Sequence, residues 1–365
     1  MTLTTPTGPA NGPAPSRRKP SLLGRLPVVH QLRQSVGLQR GMLVAGLVIT
    51  AAFVLTAILA PVIAPYGYGQ LRDADGAFGA QQPPGGSHLL GTTVGGYDVL
   101  SRVLWGSQTA LFVIVVAVLL SIFAGVFLGL VSGYFGGWLD RVLVVVCDAI
   151  YAFPSLLLAI VMSIVISGGQ SNLIGGVLAA AISITVVFIP QYFRVIRAET
   201  VRIKSEAYVE SARVLGAGNS RIMFRHVLRN ATRTLPLIFT LNSSEAILTL
   251  AGLGFLGFGI EPTAAAEWGY DLNKSLSDVT SGIWWTSLFP GLAIVLVVMG
   301  ITLVGESLND LADPRLRGRR AVGASSGLVA ETSVVPGGTL IAGPGGLAGL
   351  ETPATSTPSD EEGRS

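Results

Sequence analysis

Long apolar stretches alternate with polar segments along most of the chain. Six of these stretches approach the ~20 residues that a helix needs to cross ~30 Å of hydrocarbon. They run approximately over 42–63, 109–131, 142–166, 173–193, 233–253 and 286–308. These stretches are expected to be helices, because an open strand in lipid leaves its backbone groups without hydrogen bonds. Although Pro190 and Pro236 interrupt the fourth and fifth stretches, the pattern predicts an all-α, polytopic membrane protein with six transmembrane helices.

Polar segments of biased composition frame these spans. Residues 1–36 are rich in Pro, Gly, Ser and Arg, and the tail from about Ala321 is rich in Gly, Pro, Ser and Thr. Such segments cannot bury enough apolar surface to offset the entropy lost on ordering. We therefore predict largely disordered segments over 1–40 and 321–365 around a transmembrane domain over 41–320. Because no short apolar run with a small-residue cleavage site lies near the start, the first span is expected to remain in the mature chain.

Composition supports a membrane location and excludes other classes of protein. Charged residues make up 12% of the 365 residues, about half of the ~25% that is usual in soluble domains. An ordinary soluble enzyme is therefore excluded. The net charge of +3 is too small to indicate a partner of nucleic acid. The single cysteine, Cys147, lies in an apolar stretch and is interpreted as a small buried hydrophobe.

Positive residues lie on alternate sides of the predicted spans. The 64–108 loop holds only Arg72 and Arg102, and the 254–285 loop holds only Lys274. The other segments are strongly basic: Arg17, Arg18, Lys19, Arg25, Arg33 and Arg40 precede the first span; Arg194, Arg197, Arg202, Lys204, Arg213, Arg221, Arg225, Arg229 and Arg233 separate the fourth and fifth; Arg315, Arg317, Arg319 and Arg320 follow the sixth. Because cytoplasmic loops carry the excess of Lys and Arg, we predict a multi-pass protein of the inner (cytoplasmic) membrane with both termini in the cytoplasm.

The basic segment at about 198–232 contains signals of folded structure. Ser205 is a candidate N-cap for a helix with an acidic first turn. Gly216 and Gly218 predict the end of this helix, with positive φ available to both. Asn219 is a candidate N-cap for a second helix that runs to about Arg229. The result is a helix–turn–helix, which is either a structured connector or a docking element for a soluble partner.

This helix–turn–helix resembles the EAA loop of ABC-transporter permease subunits. Glu210, Ser211 and Ala212 occupy the places of the Glu-Ala-Ala motif, and Gly216 follows at the family's spacing, whereas Arg229 stands where a proline is common. The resemblance implies that the helix around 205–215 lies in a groove of an ATPase subunit. The residues implied to form this coupling site are Tyr208, Glu210, Ser211, Ala212, Leu215, Gly216, Ala217, Arg225 and His226.

Further segments over roughly 40–320 are similar to the C-type permease subunit of dipeptide and oligopeptide importers. They are 88–92, 98–102, 134–141, 148–157, Glu245 with 254–259, 268–269, 289–293 and 310–316. The stretch 93–97 departs from this branch, which usually has acidic residues and an arginine there. The resemblance implies a fold like that of type I ABC importer permeases. It also implies half of a translocation pathway for di- or oligopeptides.

The resemblance further implies several partners. They are a homologous second permease, two ABC ATPase subunits or domains, an extracytoplasmic substrate-binding protein, the peptide substrate and membrane lipid. None of the three lysines follows the glycine of a phosphate-binding loop. We therefore expect this chain not to be an enzyme and to bind no cofactor, with ATP and Mg²⁺ held by the partner ATPases.

Ionisable and polar residues within the predicted spans are candidates for the pathway, because charge inside a membrane is costly. Asp148 either contacts substrate or pairs with Arg141 or a partner chain. Glu245 lies in a polar band with Asn242 and either lines the pathway or makes hydrogen bonds between helices. Small residues also recur every four positions in the second span, at Gly125, Gly129 and Gly133, and they predict close helix packing.

Two alternatives stay open from the sequence. The same ABC assembly could import nickel, antibiotic peptides or another solute, since no residue pattern excludes such cargo. A self-sufficient, ion-coupled secondary transporter could instead use Asp148 and Glu245 for proton coupling. The second alternative is less favoured, because such carriers are often built from internal repeats and none is detectable here.

Overall fold

A computed structural model describes residues 38–168 and 174–312. Most of the predicted 1–40 segment and all of the 321–365 tail lie outside the described residues. The helices are α1 (Leu38–Ile63), α2 (Val99–Phe135), α3 (Gly137–Tyr151), α4 (Ser155–Ser167), α5 (Ala179–Lys204), α6 (Ala207–Val214), α7 (Asn219–Arg221), α8 (Leu228–Ala231), α9 (Leu235–Phe255), α10 (Trp268–Lys274), α11 (Leu276–Thr280) and α12 (Trp285–Ala312). Single π-helical turns cover Ile174–Leu178 and Ile222–Val227, and a 3₁₀ turn covers Thr232–Thr234. A short antiparallel hairpin joins β1 (Arg72–Asp73) to β2 (Gly76–Ala77).

The prediction of an all-α, multi-pass membrane protein is confirmed. Within the described residues, five helical segments are long and apolar enough to cross a membrane: Arg40–Ile63, Val99–Phe135, Gly176–Lys204, Asn219–Phe255 and Trp285–Asn309. Counted as one span, α3 and α4 make the sixth, with a bend of 97° between them. The sequence pattern missed this bend, which occurs at Phe153 and Pro154. Proline disfavours the helical conformation of the residue before it, so α3 ends there and α4 begins in a new direction.

Neither proline that interrupts the fourth and fifth apolar stretches ends a span. Pro190 is buried inside α5, which continues through it to Lys204. Pro236 lies in the first turn of α9, where a backbone N–H has no helical acceptor to lose. Both stretches therefore form spans, although the fifth is longer than its apolar part. Its helical segment begins at Asn219 and extends to Phe255 without a break.

The core of the bundle is the contact between α2 and α5. Gly125, Gly129 and Gly133 face α5, and a Cβ atom added at Gly125 would lie 2.4 Å from the Cβ of Tyr192. Ser121 Oγ donates a hydrogen bond across the interface to the Thr185 carbonyl, at 3.1 Å. The predicted close packing at the glycine positions is confirmed, because no side chain larger than hydrogen fits there.

Two loop systems meet at one end of the bundle, which we call the far end and which comprises residues 64–98 and 256–284. Arg102 and Asp271 form a buried ion pair there, with 2.6 Å between Nε and Oδ1. Asp98 caps α2 through Ser101 and also contacts Nδ1 of His88, at 2.9 Å. The sequence segments 88–92 and 98–102 therefore come together in space. The opposite end carries the 198–232 loop, and we call it the loop end.

Candidate functional site

The 198–232 loop forms a helix–turn–helix, in agreement with the sequence prediction. The first helix is α6, and the second begins with α7. Gly216 in the turn has a φ of 81°, a conformation that glycine adopts without steric cost. Gly218 does not have the predicted positive φ. Its φ is −67°, and it occupies the N-cap position of the second helix.

The predicted side-chain caps of both loop helices are wrong. Ser205 Oγ donates a hydrogen bond back to the carbonyl of Arg202, at 2.8 Å, and Glu206 occupies the N-cap position of α6 without a side-chain bond. Asn219 is the first residue of its helix, and its Oδ1 accepts a hydrogen bond from Tyr134, at 3.0 Å. Neither side chain caps a helix end: Ser205 bonds within the loop, and Asn219 links the loop to α2 through Tyr134.

The second loop helix does not stop at about Arg229, as predicted. With arginine in place of the common proline, every residue of this region keeps a backbone N–H, and the helical segment continues into α9. The loop and the fifth span are consequently one helical unit. Displacement of the loop would be transmitted directly to the span that contains Glu245.

A buried apolar cluster holds the loop against the ends of α2 and α5. Val209 is the α6 residue in this cluster and is completely buried. The cluster consists of Leu130, Ile196, Ile203, Val209, Ile222, Met223, Val227 and Ala231. Lys204 adds a polar contact, because its Nζ donates to the carbonyl of Gly133, at 2.7 Å. These contacts make the loop part of a packed body rather than a loose connection.

The opposite face of the loop is exposed, and part of it is apolar. Val214 and Leu215 are 83% and 86% exposed at the tip. Glu210 is exposed on the same helix, and its carboxylate has no hydrogen bond or ion pair within the described residues. Exposed apolar side chains beside an unpaired charge, on a rigid support, are typical of a protein-interaction surface.

The other predicted coupling residues lie around this exposed face. Tyr208 accepts a hydrogen bond from Nδ2 of Asn230, at 3.0 Å, and its ring lies 6.5 Å from that of His226. Ser211 and Arg225 are exposed, whereas Ala212 and Ala217 are half-buried. The structure therefore brings α6 and the start of the second helix onto one surface.

Two ion pairs join α3 to α5 near the loop end. Arg197 binds both carboxylate oxygens of Asp140, at 2.5 and 2.7 Å. Asp148 pairs with Arg194 at 2.8 Å, so Arg141 is not its partner. Sequence reasoning missed both pairs. The sequence spacing gave no signal for them, because the two acids lie eight positions apart on α3 whereas the two arginines lie only three apart on α5.

Glu245 lines a cavity of about 190 Å³ at the bend of the third span. The lining residues are Ile150, Tyr151, Phe153, Ser155, Leu158, Val187, Gln191 and Glu245. The hydrogen bond between helices is made by the neighbouring Ser244, whose Oγ lies 3.1 Å from Oγ1 of Thr302. Neither Asp148 nor Asn242 lines this cavity, and the three polar candidates do not form one site. Asn242 is buried, and its Nδ2 has no hydrogen-bond partner within the described residues.

Comparison with known proteins agrees with the family resemblance seen in the sequence and extends over most of the chain. The family profile described as binding-protein-dependent transport system inner membrane component matches residues 125–318. The profile described as the N-terminal TM domain of oligopeptide transport permease C matches residues 38–84.

Named relatives align over nearly their whole length. The glutathione transport system permease protein GsiD of Pectobacterium atrosepticum is 33% identical, over 82% of this chain and 98% of the relative. The dipeptide transport system permease protein DppC of Haemophilus influenzae is 37% identical, over 76% of this chain and 92% of the relative. DppC of Alkalihalophilus pseudofirmus is 34% identical, over 75% of this chain and 86% of the relative. The chain therefore belongs to the family of binding-protein-dependent inner membrane transport components and is an ABC importer permease of the dipeptide and oligopeptide type.

Proposed function

We propose that this chain forms half of the translocation pathway of an ATP-driven importer for di- and oligopeptides. It acts together with a homologous second permease, two ABC ATPase subunits or domains and an extracytoplasmic substrate-binding protein. The chain lies in the inner membrane, with both termini and the loop end in the cytoplasm. The arginine distribution supports this orientation.

The exposed face of the 198–232 loop is the observation that carries the proposal. The side chains of Leu215 and Glu210 are exposed. Val209 on the same helix is buried against the bundle. A soluble partner that grips the exposed face can therefore move the loop as a unit. ATP-driven closure of the two ATPases would tilt the spans attached to it, which is a rigid-body transition coupled to nucleotide state.

ATP chemistry belongs to the partners in this proposal. The sequence has no glycine-rich loop that ends in lysine followed by serine or threonine. This chain therefore hydrolyses no ATP and binds no cofactor of its own, and ATP and Mg²⁺ are held by the ATPases. Its task is to form the pathway, and Glu245, Asp148 and Asn242 are the candidate pathway residues.

The names of the relatives favour peptide cargo over nickel or another solute. Glutathione and dipeptides, which the relatives are named for, share peptide bonds and a free carboxylate. An ion-coupled secondary transporter would have no use for a rigidly packed loop with an exposed apolar tip. Both alternatives are outcomes of the following test.

The test is ATP-dependent uptake of a labelled tripeptide by vesicles that contain the reconstituted complex. We expect Glu210→Ala to lower the uptake rate by about tenfold, the effect of losing roughly 1.4 kcal/mol at an interface. The melting temperature of the variant should be unchanged, because Glu210 has no partner in this subunit. Gly216→Ala should lower uptake as well, since alanine is strained at a φ of 81°.

Matched variants separate coupling from general damage. Glu261→Ala removes an exposed carboxylate at the far end, and Gly41→Ala adds a methyl group within α1, with nothing within 4 Å. Both should retain the wild-type uptake rate. Uptake that proceeds without the ATPases, or that follows a proton gradient, would refute the ABC mechanism. Uptake of nickel but not of peptide would refute the cargo.

A further inference from the structure

The cavity beside Glu245 lies where three spans meet, and it opens to the surface of the subunit at the exposed residues Tyr151 and Phe153. Its walls come from the bend between α3 and α4, from α5 and from α9. Four of the residues in its lining are polar: Tyr151, Ser155, Gln191 and Glu245. None of their side chains has a hydrogen bond to another described residue. Tyr151 and Ser155 are exposed, whereas Gln191 and Glu245 are half-buried. Two half-buried polar side chains without a protein partner indicate bound water or a ligand, because buried polar groups are otherwise hydrogen-bonded.

The location makes this arrangement costly unless it has a function. Glu245 is half-buried near the middle of α9, well inside the fifth span. An ionisable side chain at such a position normally pairs with another group or faces a polar pathway. Glu245 has no ion pair within the described residues. By contrast, Asp140 and Asp148, which lie on α3 near the loop end, each pair with an arginine. Glu210 is also unpaired but is exposed at the loop end, whereas Glu245 is half-buried inside a span.

The chemistry of the lining favours a positively charged donor. Glu245 is the only charged residue of the lining, and the amide and the two hydroxyls can all accept hydrogen bonds. Arg194 is near but does not compensate Glu245, because its guanidinium pairs with Asp148 and lies 4.1 Å from the centre of the Tyr151 ring. The cavity consequently offers a net negative site with several acceptors.

A primary ammonium group fits this site better than a metal ion. Three N–H donors match one carboxylate and several neutral acceptors. Within the described residues, no group of three or more His, Cys, Asp or Glu side chains could hold a metal ion, and Ni²⁺ favours nitrogen ligands such as imidazole. A volume of about 190 Å³ equals roughly six water molecules at ~30 Å³ each, which accommodates the ammonium and a small first residue.

We propose that Glu245 binds the protonated amino terminus of the peptide as it passes through the membrane. The inference rests on the proposed function, because it assumes peptide cargo. Tyr151, Ser155 and Gln191 complete the site as hydrogen-bond acceptors. Glu245 thereby acts as a specificity-determining residue within the pathway, in addition to any selection by the binding protein.

Uptake by the complete reconstituted complex tests this site with two cargoes, trialanine and N-acetyl-trialanine. Glu245→Gln should lower the maximal uptake rate of trialanine by about tenfold, as expected for a lost charge-assisted hydrogen bond. It should change the rate for the acetylated peptide less than twofold. Glu245→Asp should restore most of the trialanine uptake. Glu261→Gln is the matched control and should have the wild-type rate for both cargoes.

Comparison of each variant with the wild type for the same cargo removes the contribution of the binding protein, since that protein is the same in every sample. Equal losses for both cargoes in Glu245→Gln, or no loss for trialanine, would overturn the proposal. The wild-type complex could also reject the acetylated peptide. In that case the proposal is supported if Glu245→Gln lowers trialanine uptake and Glu245→Asp retains most of it. Absence of ATP-dependent uptake by the wild type would instead refute the proposed function.

A second measurement is independent of transport activity. Glu245→Cys should react with a water-soluble, membrane-impermeant thiol reagent in at least one nucleotide state of the complex. Leu248→Cys is the control, because Leu248 is 53% exposed on the same helix and is apolar, as expected for a lipid-facing position. Native Cys147 is buried and contributes little background. A Glu245→Cys side chain that never reacts would show that the cavity is not part of a water-filled pathway and would overturn the proposal.

Discussion

Glu267 at the far end is a buried carboxylate whose ionisation depends on its surroundings. It caps α10, and its two oxygens each accept a backbone hydrogen bond, from Gly269 and Tyr270, at 2.7 Å. Burial nevertheless raises the pKa of Glu267 to about 8, because the bonds from the two backbone amides oppose the desolvation only in part. Burial also raises the pKa of nearby Asp271, against the attraction of Arg102.

This raised pKa predicts how stability depends on pH. The folded state retains the Glu267 proton up to about pH 8, whereas the unfolded chain releases it near 4.5. The folded state therefore binds more protons between these values, and the free energy of unfolding should fall as pH rises, by up to about 1.4 kcal/mol per pH unit. Melting temperatures of the purified protein from pH 5 to 8 measure this slope. Glu267→Gln should flatten it, and an equal slope in the variant would contradict the assignment.

At the same scale, the sequence predicted some local conformations and missed others. Positive φ was predicted correctly at Gly216 but not at Gly218, because glycine permits this conformation without requiring it. The capping roles of Ser205 and Asn219 were not, because each side chain found a different partner. Asn219 binds Tyr134, which is 85 positions away in the sequence. A local rule cannot anticipate an acceptor or donor that only the tertiary fold brings near.

At the scale of elements, periodicity was a good guide to helix type and packing but not to helix direction. The four-residue spacing of Gly125, Gly129 and Gly133 correctly predicted a close contact, although it could not identify α5 as the partner. The bend of 97° within the third span was missed, since the apolar pattern is continuous across it. The cavity around Glu245 depends on that bend, so the sequence could name this residue but not its surroundings.

The contact between α2 and α5 gives a prediction at this scale. Gly125→Ala should destabilise the protein by about 1–3 kcal/mol, the usual cost of overpacking, because the new methyl carbon would lie 2.4 Å from the Cβ of Tyr192. Thermal unfolding in detergent measures the loss. Gly41→Ala is the matched control, since nothing lies within 4 Å of a Cβ at this helical position. We expect it to be neutral or slightly stabilising, and equal losses in both variants would argue against the tight interface.

At the scale of the whole molecule, the arginine distribution agrees with the positions of the far end and the loop end. The basic 198–232 loop and the sparsely charged 64–98 segment lie at opposite ends of the same bundle. Sequence alone could assign these segments to two sides of a membrane, because charge is a local property of each loop. It could not show that residues 88–92 and 98–102 converge at the far end.

Orientation can be measured with single cysteines. Leu89 at the far end and Leu215 at the loop end are 63% and 86% exposed, and native Cys147 is buried. In right-side-out membrane vesicles, a membrane-impermeant maleimide should label Leu89→Cys directly. It should label Leu215→Cys only after the membrane is dissolved in sodium dodecyl sulfate. The reverse pattern would show that the loop end faces outward and would exclude cytoplasmic ATPases as its partners.

Because Asn219–Phe255 is one continuous helical segment, its length determines the direction in which one end faces relative to the other. Its 37 residues include the π-helical turn Ile222–Val227 and the 3₁₀ turn Thr232–Thr234. At the α-helical rise they extend over roughly 55 Å, with the loop surface at one end and Glu245 beyond the middle. Each residue added to or removed from such a helix turns one end against the other by about 100° and shifts it by about 1.5 Å. The number of residues between the loop and Glu245 is therefore constrained as strongly as the identity of those residues. A change of about seven residues, close to two full turns, is the smallest that keeps both surfaces facing their present directions.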